Sequence, residues 1–99
     1  MDGKDLRAGA VAAIGPVAHP VSVARLVMEK TKHVMLAGPG ATDFARDHGV
    51  PILDAEALVT PAARAEWEKM RSFPTSVKEL FNSHDTVGAV ALDAEGNVA

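Results

Sequence analysis

At 99 residues, 47% of them hydrophobic and 23% charged, the chain has room for one small core and a composition far from that of disordered proteins. A formal net charge of −3 and scattered Lys and Arg leave no basic stripe to neutralise a phosphate backbone, so nucleic acid is not an expected partner. The absence of cysteine excludes a disulfide framework and thiolate metal sites.

Met1 to Gly9 carries charges at Asp2, Lys4, Asp5 and Arg7 without an apolar run, unlike a secretory signal. No stretch approaches the roughly 20 apolar residues of a membrane span. A cytoplasmic protein with no membrane contact is the default expectation. Ala8 to Ile14, AGAVAAI, is a small-apolar run of the kind found in strands covered on both faces. Pro20 then opens a helix through VSVARLVMEKTK, with Val23, Leu26 and Val27 on one apolar face and Ser22, Arg25 and Glu29 toward water. Lys30 and Lys32 suit its C-terminal end.

His33 to Ala37, HVMLA, is expected to form a second strand running into Gly38, Pro39 and Gly40. Thr42 is expected to cap a second helix that Gly49 terminates. A third helix is expected after Thr60 and Pro61, with Trp67 and Met70 among charges and a weaker apolar face. From Arg71 to Asp85 the chain turns polar, as a mobile connection does. Thr86 to Leu92, TVGAVAL, reads as another buried-type strand, and Asp93, Ala94, Glu95, Gly96 and Asn97 as a hairpin turn. Val98 and Ala99 would begin a return strand too short to pair, which gives the impression of a sequence cut short.

Several residues invite a chemical reading that a simpler one outweighs. Gly38 to Thr42 sits between strand and helix like a phosphate turn, yet lacks the third glycine of a dinucleotide fingerprint and the lysine and hydroxyl of a P-loop. His19, His33, His48 and His84 show no ligand spacing, so no metal site is expected. Asp93, Glu95 and Asn97 alternate as in a calcium loop, but Gly96 is misplaced for one, and a turn is preferred. Trp67 and Met70 are read as packing residues or a linker's apolar patch rather than a ligand platform.

The segment HDTVGAVALDAEGNVA, His84 to Ala99, resembles the processing site of the isoaspartyl peptidase, plant-type asparaginase and aspartylglucosaminidase family. In that family a threonine follows the cleaved bond. MDGKDLRAGAVAAI and HPVSVARLVMEKTKHVMLAGPGATDFA, within Met1 to Ala45, resemble the part of its α subunit that precedes the linker. Two blocks in the right order, spaced by a polar connection, are more specific than one motif.

The resemblance implies an α+β fold, part of a four-layer αββα N-terminal-nucleophile sandwich that is incomplete at both ends. It divides the chain into the C-terminal part of an α subunit (1–70), a linker ending at the autocleavage site (71–85) and the first hairpin of a β subunit (86–99). It implies self-cleavage between Asp85 and Thr86, with Thr86 as the catalytic nucleophile, on L-asparagine or β-aspartyl dipeptides as small-molecule substrates. A threonine hydroxyl needs a base, which its own freed amine can supply. Asp85 stands where the family often has glycine, which looks more like the glycosylasparaginase branch. The second catalytic threonine and the groups that bind substrate and oxyanion come from downstream in the family, and a structural sodium ion is held by a loop upstream. No other cofactor is implied. The parent is implied to be an αβ heterodimer that pairs again, and the 99 residues alone are expected to be inactive. A non-catalytic αβ interaction module is the alternative from another class.

Overall fold

In a computed structural model, residues 1–72 and 87–99 are described. They fall into two compact units, Met1–Leu58 together with Val90–Ala99, and Val59–Ala89. In the first unit, β1 (Ala10–Ala12) is followed by α1 (Pro20–Lys30), β2 (Met35–Ala37) and α2 (Gly38–Asp47). The two strands pair in parallel, Ala10 with Met35, Val11 with Leu36 and Ala12 with Ala37. The order strand, helix, strand, helix is the one anticipated, and a parallel pair requires such a crossover.

Pro20 at the start of α1 gives up an N–H that would have no intrahelical partner anyway. The helix buries Val23 and Val27 completely, while Leu26 is half-buried and Val21 exposed. Val23 joins Val17 and Ala45 in the core, with Val11, Ile14, Phe44, Val50 and Ile52 packed around them. The helix lies close to the chain entering β1: a Cβ at Gly9 would collide with the Ala24 carbonyl oxygen and come within 2.8 Å of the Met28 Cβ.

Two expectations for this unit are corrected. The strand at Ala8–Ile14 is three residues long, with Ala10 and Val11 half-buried and Ala12 exposed, because small side chains bury a strand on both faces only when layers cover both. Thr42 does not cap α2. The helix starts at Gly38 with Pro39 in its first turn, so Gly38–Gly40 is helix rather than turn, and Thr42 stands inside it. From there Thr42 Oγ1 accepts the Gly15 N–H at 2.8 Å, satisfying a backbone donor just beyond the end of β1.

The end of α2 is as the sequence suggested. Gly49, at φ +77°, donates its N–H to Arg46 O at 3.0 Å, and Val50 donates to Ala45 O at 2.9 Å. This is the reciprocal pair of a Schellman motif, with Val50 folding back onto the core. The chain then runs past Pro16, whose carbonyl accepts the Leu53 N–H at 2.8 Å, into a single 3-10 turn at Ala55–Leu58 that the sequence did not suggest.

In the second unit, α3 (Pro61–Ser72) is capped by Thr60, whose Oγ1 accepts the Ala63 N–H at 3.1 Å. The side chains described on α3 are all exposed, in keeping with its weak apolar face. The helix takes up the first two residues, Arg71 and Ser72, of the connection expected over 71–85, and the remainder lies outside the described residues. No helix among the described residues is long and apolar enough to cross a membrane.

Candidate functional site

Asp85 and Thr86, the pair singled out for self-cleavage and nucleophilic attack, lie outside the described residues, as does His84. The described chain resumes at Val87. Of the strand expected over Thr86–Leu92, residues Val87–Val90 form no strand, and its apolar side chains stay open to solvent, with Val87, Val90 and Leu92 97%, 84% and 71% exposed. An apolar run becomes a strand only against a neighbour that takes its hydrogen bonds, and among the described residues Val87–Val90 has none in regular pairing.

Pairing begins at Ala91. Ala91 and Ala99 exchange both backbone bonds, at 2.8 and 2.9 Å, and Leu92 bridges Val98 in antiparallel fashion. The two-residue return segment, expected to be too short, therefore does pair. The reason lies in the turn. Gly96 N–H donates to Asp93 O at 3.2 Å and Gly96 sits at φ +84°, the type I turn plus left-handed residue of a three-residue hairpin loop. The Asp93 carboxylate accepts the amides of Glu95 (3.0 Å) and Asn97 (2.8 Å) on Oδ1 and the Asn97 side-chain Nδ2–H on Oδ2 (2.7 Å). These bonds, that from the Asn97 side chain foremost, hold the Asp93 carboxyl below the usual carboxylate range. With its oxygens so engaged, Asp93 closes a turn rather than a calcium loop.

The hairpin meets the start of the chain. Gly3 N–H donates to Val98 O at 2.7 Å, and a Cβ at Gly3 would collide with that same oxygen. The presenting loop is internally braced: Asp2 N–H bonds Arg7 O at 2.9 Å, and Arg7 pairs with Asp5 at 2.6 Å and Asp2 at 3.9 Å. Between this loop, one side of α1 and the hairpin lies an open groove of about 570 Å³, lined in part by Arg7, Arg25, Met28 and Asp93. Its arginines are already matched, Arg7 by Asp5 and Arg25 by Glu29 at 2.7 Å. The Arg7 backbone and side-chain donors hold Asp5 below the usual carboxylate range, and the Arg25 side chain does the same for Glu29.

The remaining sequence candidates bring no chemistry together. A second, shallower crevice of about 360 Å³ lies by Gly15, Gly38 and Thr42, but its arginine, Arg46, is tied to Asp43 at 2.6 Å. His48 Nδ1 lies 2.9 Å from Phe44 O, a local helix-end contact. No group of three or more His, Cys, Asp or Glu that could hold a metal ion is present among the described residues, and no residue here is assigned to the implied sodium ion. Trp67 is 54% exposed with the Arg71 guanidinium 5.2 Å from its ring, so it is not a core residue. Met70's side chain lies outside the described set. The Gly3–Val98 contact and the Thr42–Gly15 bond had no sequence signature, whereas the spacing Asp93, Gly96, Asn97 signalled the turn but not the carboxylate that closes it.

Comparison with known proteins covers the full length of the chain. A family model described as asparaginase matches residues 1–99. The isoaspartyl peptidase/L-asparaginase of Rattus norvegicus is 50% identical over 100 residues, and that of Homo sapiens 49% over 100, each alignment covering 100% of this chain. They cover 30% and 32% of those relatives, so the chain spans about a third of the length of the curated relatives it matches. An N(4)-(beta-N-acetylglucosaminyl)-L-asparaginase of Elizabethkingia miricola is 43% identical over 93 residues, covering 92% of this chain and 26% of its own length. A match that takes in the βαβα segment, the connection and the hairpin alike, at close to half identity, establishes that the chain belongs to the asparaginase family.

Proposed function

We propose that the complete protein is a self-processing amidohydrolase that acts on L-asparagine or β-aspartyl dipeptides, with Thr86 as its nucleophile. The observation that carries this is the full-length family match, which spans the Asp85-Thr86 bond and both flanking blocks. In the proposed maturation, Thr86 Oγ attacks the Asp85 carbonyl carbon and the peptide C–N bond breaks. That cleavage leaves an Asp85 ester on Oγ and a free Thr86 amine, which takes up the proton, and water then hydrolyses the ester to an Asp85 carboxylate and the Thr86 hydroxyl. Asp85 assists by taking the hydroxyl proton.

In turnover, the freed amine takes the Thr86 Oγ proton as Oγ bonds to the substrate's side-chain carbonyl carbon. The proton passes to the departing nitrogen, ammonia for asparagine or an amino-acid amine for a β-aspartyl dipeptide, and water releases aspartate. Donors that stabilise the oxyanion in such a reaction must be preorganised. In this reading they come from the rest of the parent, and the 99 residues alone release no ammonia. The parallel βαβ unit and the hairpin are parts of the four-layer αββα sandwich, and the mature unit is an αβ heterodimer that pairs again. A second reading, hydrolysis of glycosylasparagine, is favoured by Asp85 and by the Elizabethkingia relative.

The test is Thr86→Ala in the complete protein. The parent is expected to appear as two polypeptides, one starting at Thr86 by N-terminal sequencing, and the variant as one chain that releases no ammonia from L-asparagine. A variant processed like the parent would overturn the assignment. Comparing release of ammonia, aspartate and glycosylamine from the three substrates separates the two readings.

A further inference from the structure

Asp2–Gly3 is the single Asp–Gly step in the chain, and no Asn–Gly step is present. At such a step the following amide nitrogen can attack the aspartate side chain, because glycine puts no side chain in the way. Here both reacting groups are open to solvent yet restrained. Asp2 is half-buried and Gly3 exposed. Asp2 Oδ1 accepts the Lys4 N–H at 2.9 Å, and the Asp2 N–H donates to Arg7 O at 2.9 Å. The Gly3 N–H donates to Val98 O at 2.7 Å. An amide nitrogen becomes a nucleophile only as it gives up its proton, and the hairpin holds that proton. All of these groups belong to the first unit.

We propose that Asp2–Gly3 is an isoaspartate-forming site that the docked hairpin holds in check, and that its conversion bars the hairpin from docking again. The inference does not depend on the assignment of Thr86. When the Gly3–Val98 bond opens, the Gly3 nitrogen bonds to Asp2 Cγ. One carboxylate oxygen leaves as water, carrying the amide proton and a proton from solvent. Water then adds to the Asp2 main-chain carbonyl carbon of the resulting imide, and the bond from that carbon to the Gly3 nitrogen breaks. The nitrogen recovers a proton, and the carbon becomes a carboxylate that returns the other proton to solvent. The main chain now runs through Cβ and Cγ of residue 2, one atom longer than before. That atom displaces the Gly3 nitrogen by up to about 1.5 Å. Moved away from Val98 O, a bond of 2.7 Å passes the limit of about 3.2 Å for an N–H to oxygen bond. Moved closer, it has no room, since a Cβ at Gly3 would already collide with that oxygen.

The experiment ages the chain in warm neutral buffer and follows residue 2 by peptide mapping, which separates the aspartyl and isoaspartyl peptides of equal mass. Conversion is expected to be slower in the folded chain than in urea. Asp93→Ala removes the three bonds accepted inside the hairpin turn and is expected to speed conversion of the folded chain roughly fivefold, the equivalent of one net hydrogen bond. Asp2→Glu, one methylene too long for the imide ring, is expected to stay unconverted. A measurement without any variant guards against an Asp93→Ala chain that does not fold. Across sub-denaturing urea, the parent's conversion rate is expected to follow hydrogen exchange of the Gly3 amide, because both need the same local opening. Purified isoaspartyl chains are expected to lose protection at the Gly3 amide while keeping it at Ala10, whose N–H donates to Val34 O. Equal rates in folded and urea-unfolded chain, a rate that does not follow Gly3 exchange, or no conversion even in urea overturns the proposal. So does a folded Asp93→Ala chain that converts at the parent rate, or an isoaspartyl chain whose Gly3 amide stays protected.

Discussion

Val21 and Val23 lie two positions apart on α1, one 81% exposed and the other fully buried, so the same substitution at both isolates the value of burial. Val→Ala removes the equivalent of two methylenes, worth about 1.6 kcal/mol at a buried site at about 0.8 kcal/mol each. Any cavity left beside Val17 and Ala45 adds to this by about 24 cal/mol per Å³. Alanine is the better helix former, by no more than about 0.7 kcal/mol, and that gain applies at both positions. Val21→Ala is therefore expected to be neutral or slightly stabilising, and Val23→Ala to be less stable than it by at least about 1.6 kcal/mol. In urea, with a slope near 1 kcal/mol per M for a chain of this size, the two midpoints should differ by roughly 1.6 M. The assay is equilibrium unfolding of the 99-residue chain in the cold, followed by far-ultraviolet circular dichroism. Equal midpoints for the two variants would refute the placement of Val23 in the core.

Two further predictions concern the backbone and the turn. Gly49→Ala, at φ +77°, is expected to cost about 1–2 kcal/mol, while Gly40→Ala is expected to stabilise α2 by up to about 1 kcal/mol, because Gly40 is helical with open space at its Cβ; a thermal melt that ranks them in reverse would contradict both. For Asp93, whose carboxyl is depressed chiefly by the Asn97 side chain, the clamp's contribution is fully present above the ordinary aspartate value of about 3.9. It is lost as pH falls through the depressed folded value. The backbone amide shifts of Glu95 and Asn97 should accordingly hold steady through the ordinary range and move only in stronger acid, and a midpoint at or above the ordinary value would show that the clamp does not form.

The βαβα order was legible because each element has its own signal: Pro20 at a helix start, Val23 and Val27 spaced on one face, and Gly49 at a helix end. Strand extent was not, since AGAVAAI and TVGAVAL describe a side-chain inventory, and a strand exists only as far as a neighbour accepts its hydrogen bonds. Thr42 was misread because Thr ahead of a polar run is a fair capping signal, while Gly38, Pro39 and Gly40 are poor helix formers in general. Pro39 and the glycines are tolerated in the first turn, where Pro is at home, and the Thr42 hydroxyl is used instead across the fold, on Gly15, 27 positions away. Nothing local encodes such a bond. At the hairpin, the turn residues were readable, but the partner of Val98 was Gly3, at the far end of the chain.

That last contact closes a loop over nearly the whole chain. Lengthening such a loop is cheap, about 0.6 kcal/mol per doubling, so the ends find each other despite the insertion of α3 and the connection between them. A cut anywhere within the loop changes the nature of the contact. While the chain is continuous, Val98 meets Gly3 at an effective concentration set by the tether, up to the millimolar range for short flexible linkers. Once it is severed between them, the same carbonyl reaches the same amide as part of a separate molecule, and its occupancy depends on how much else holds the two pieces together.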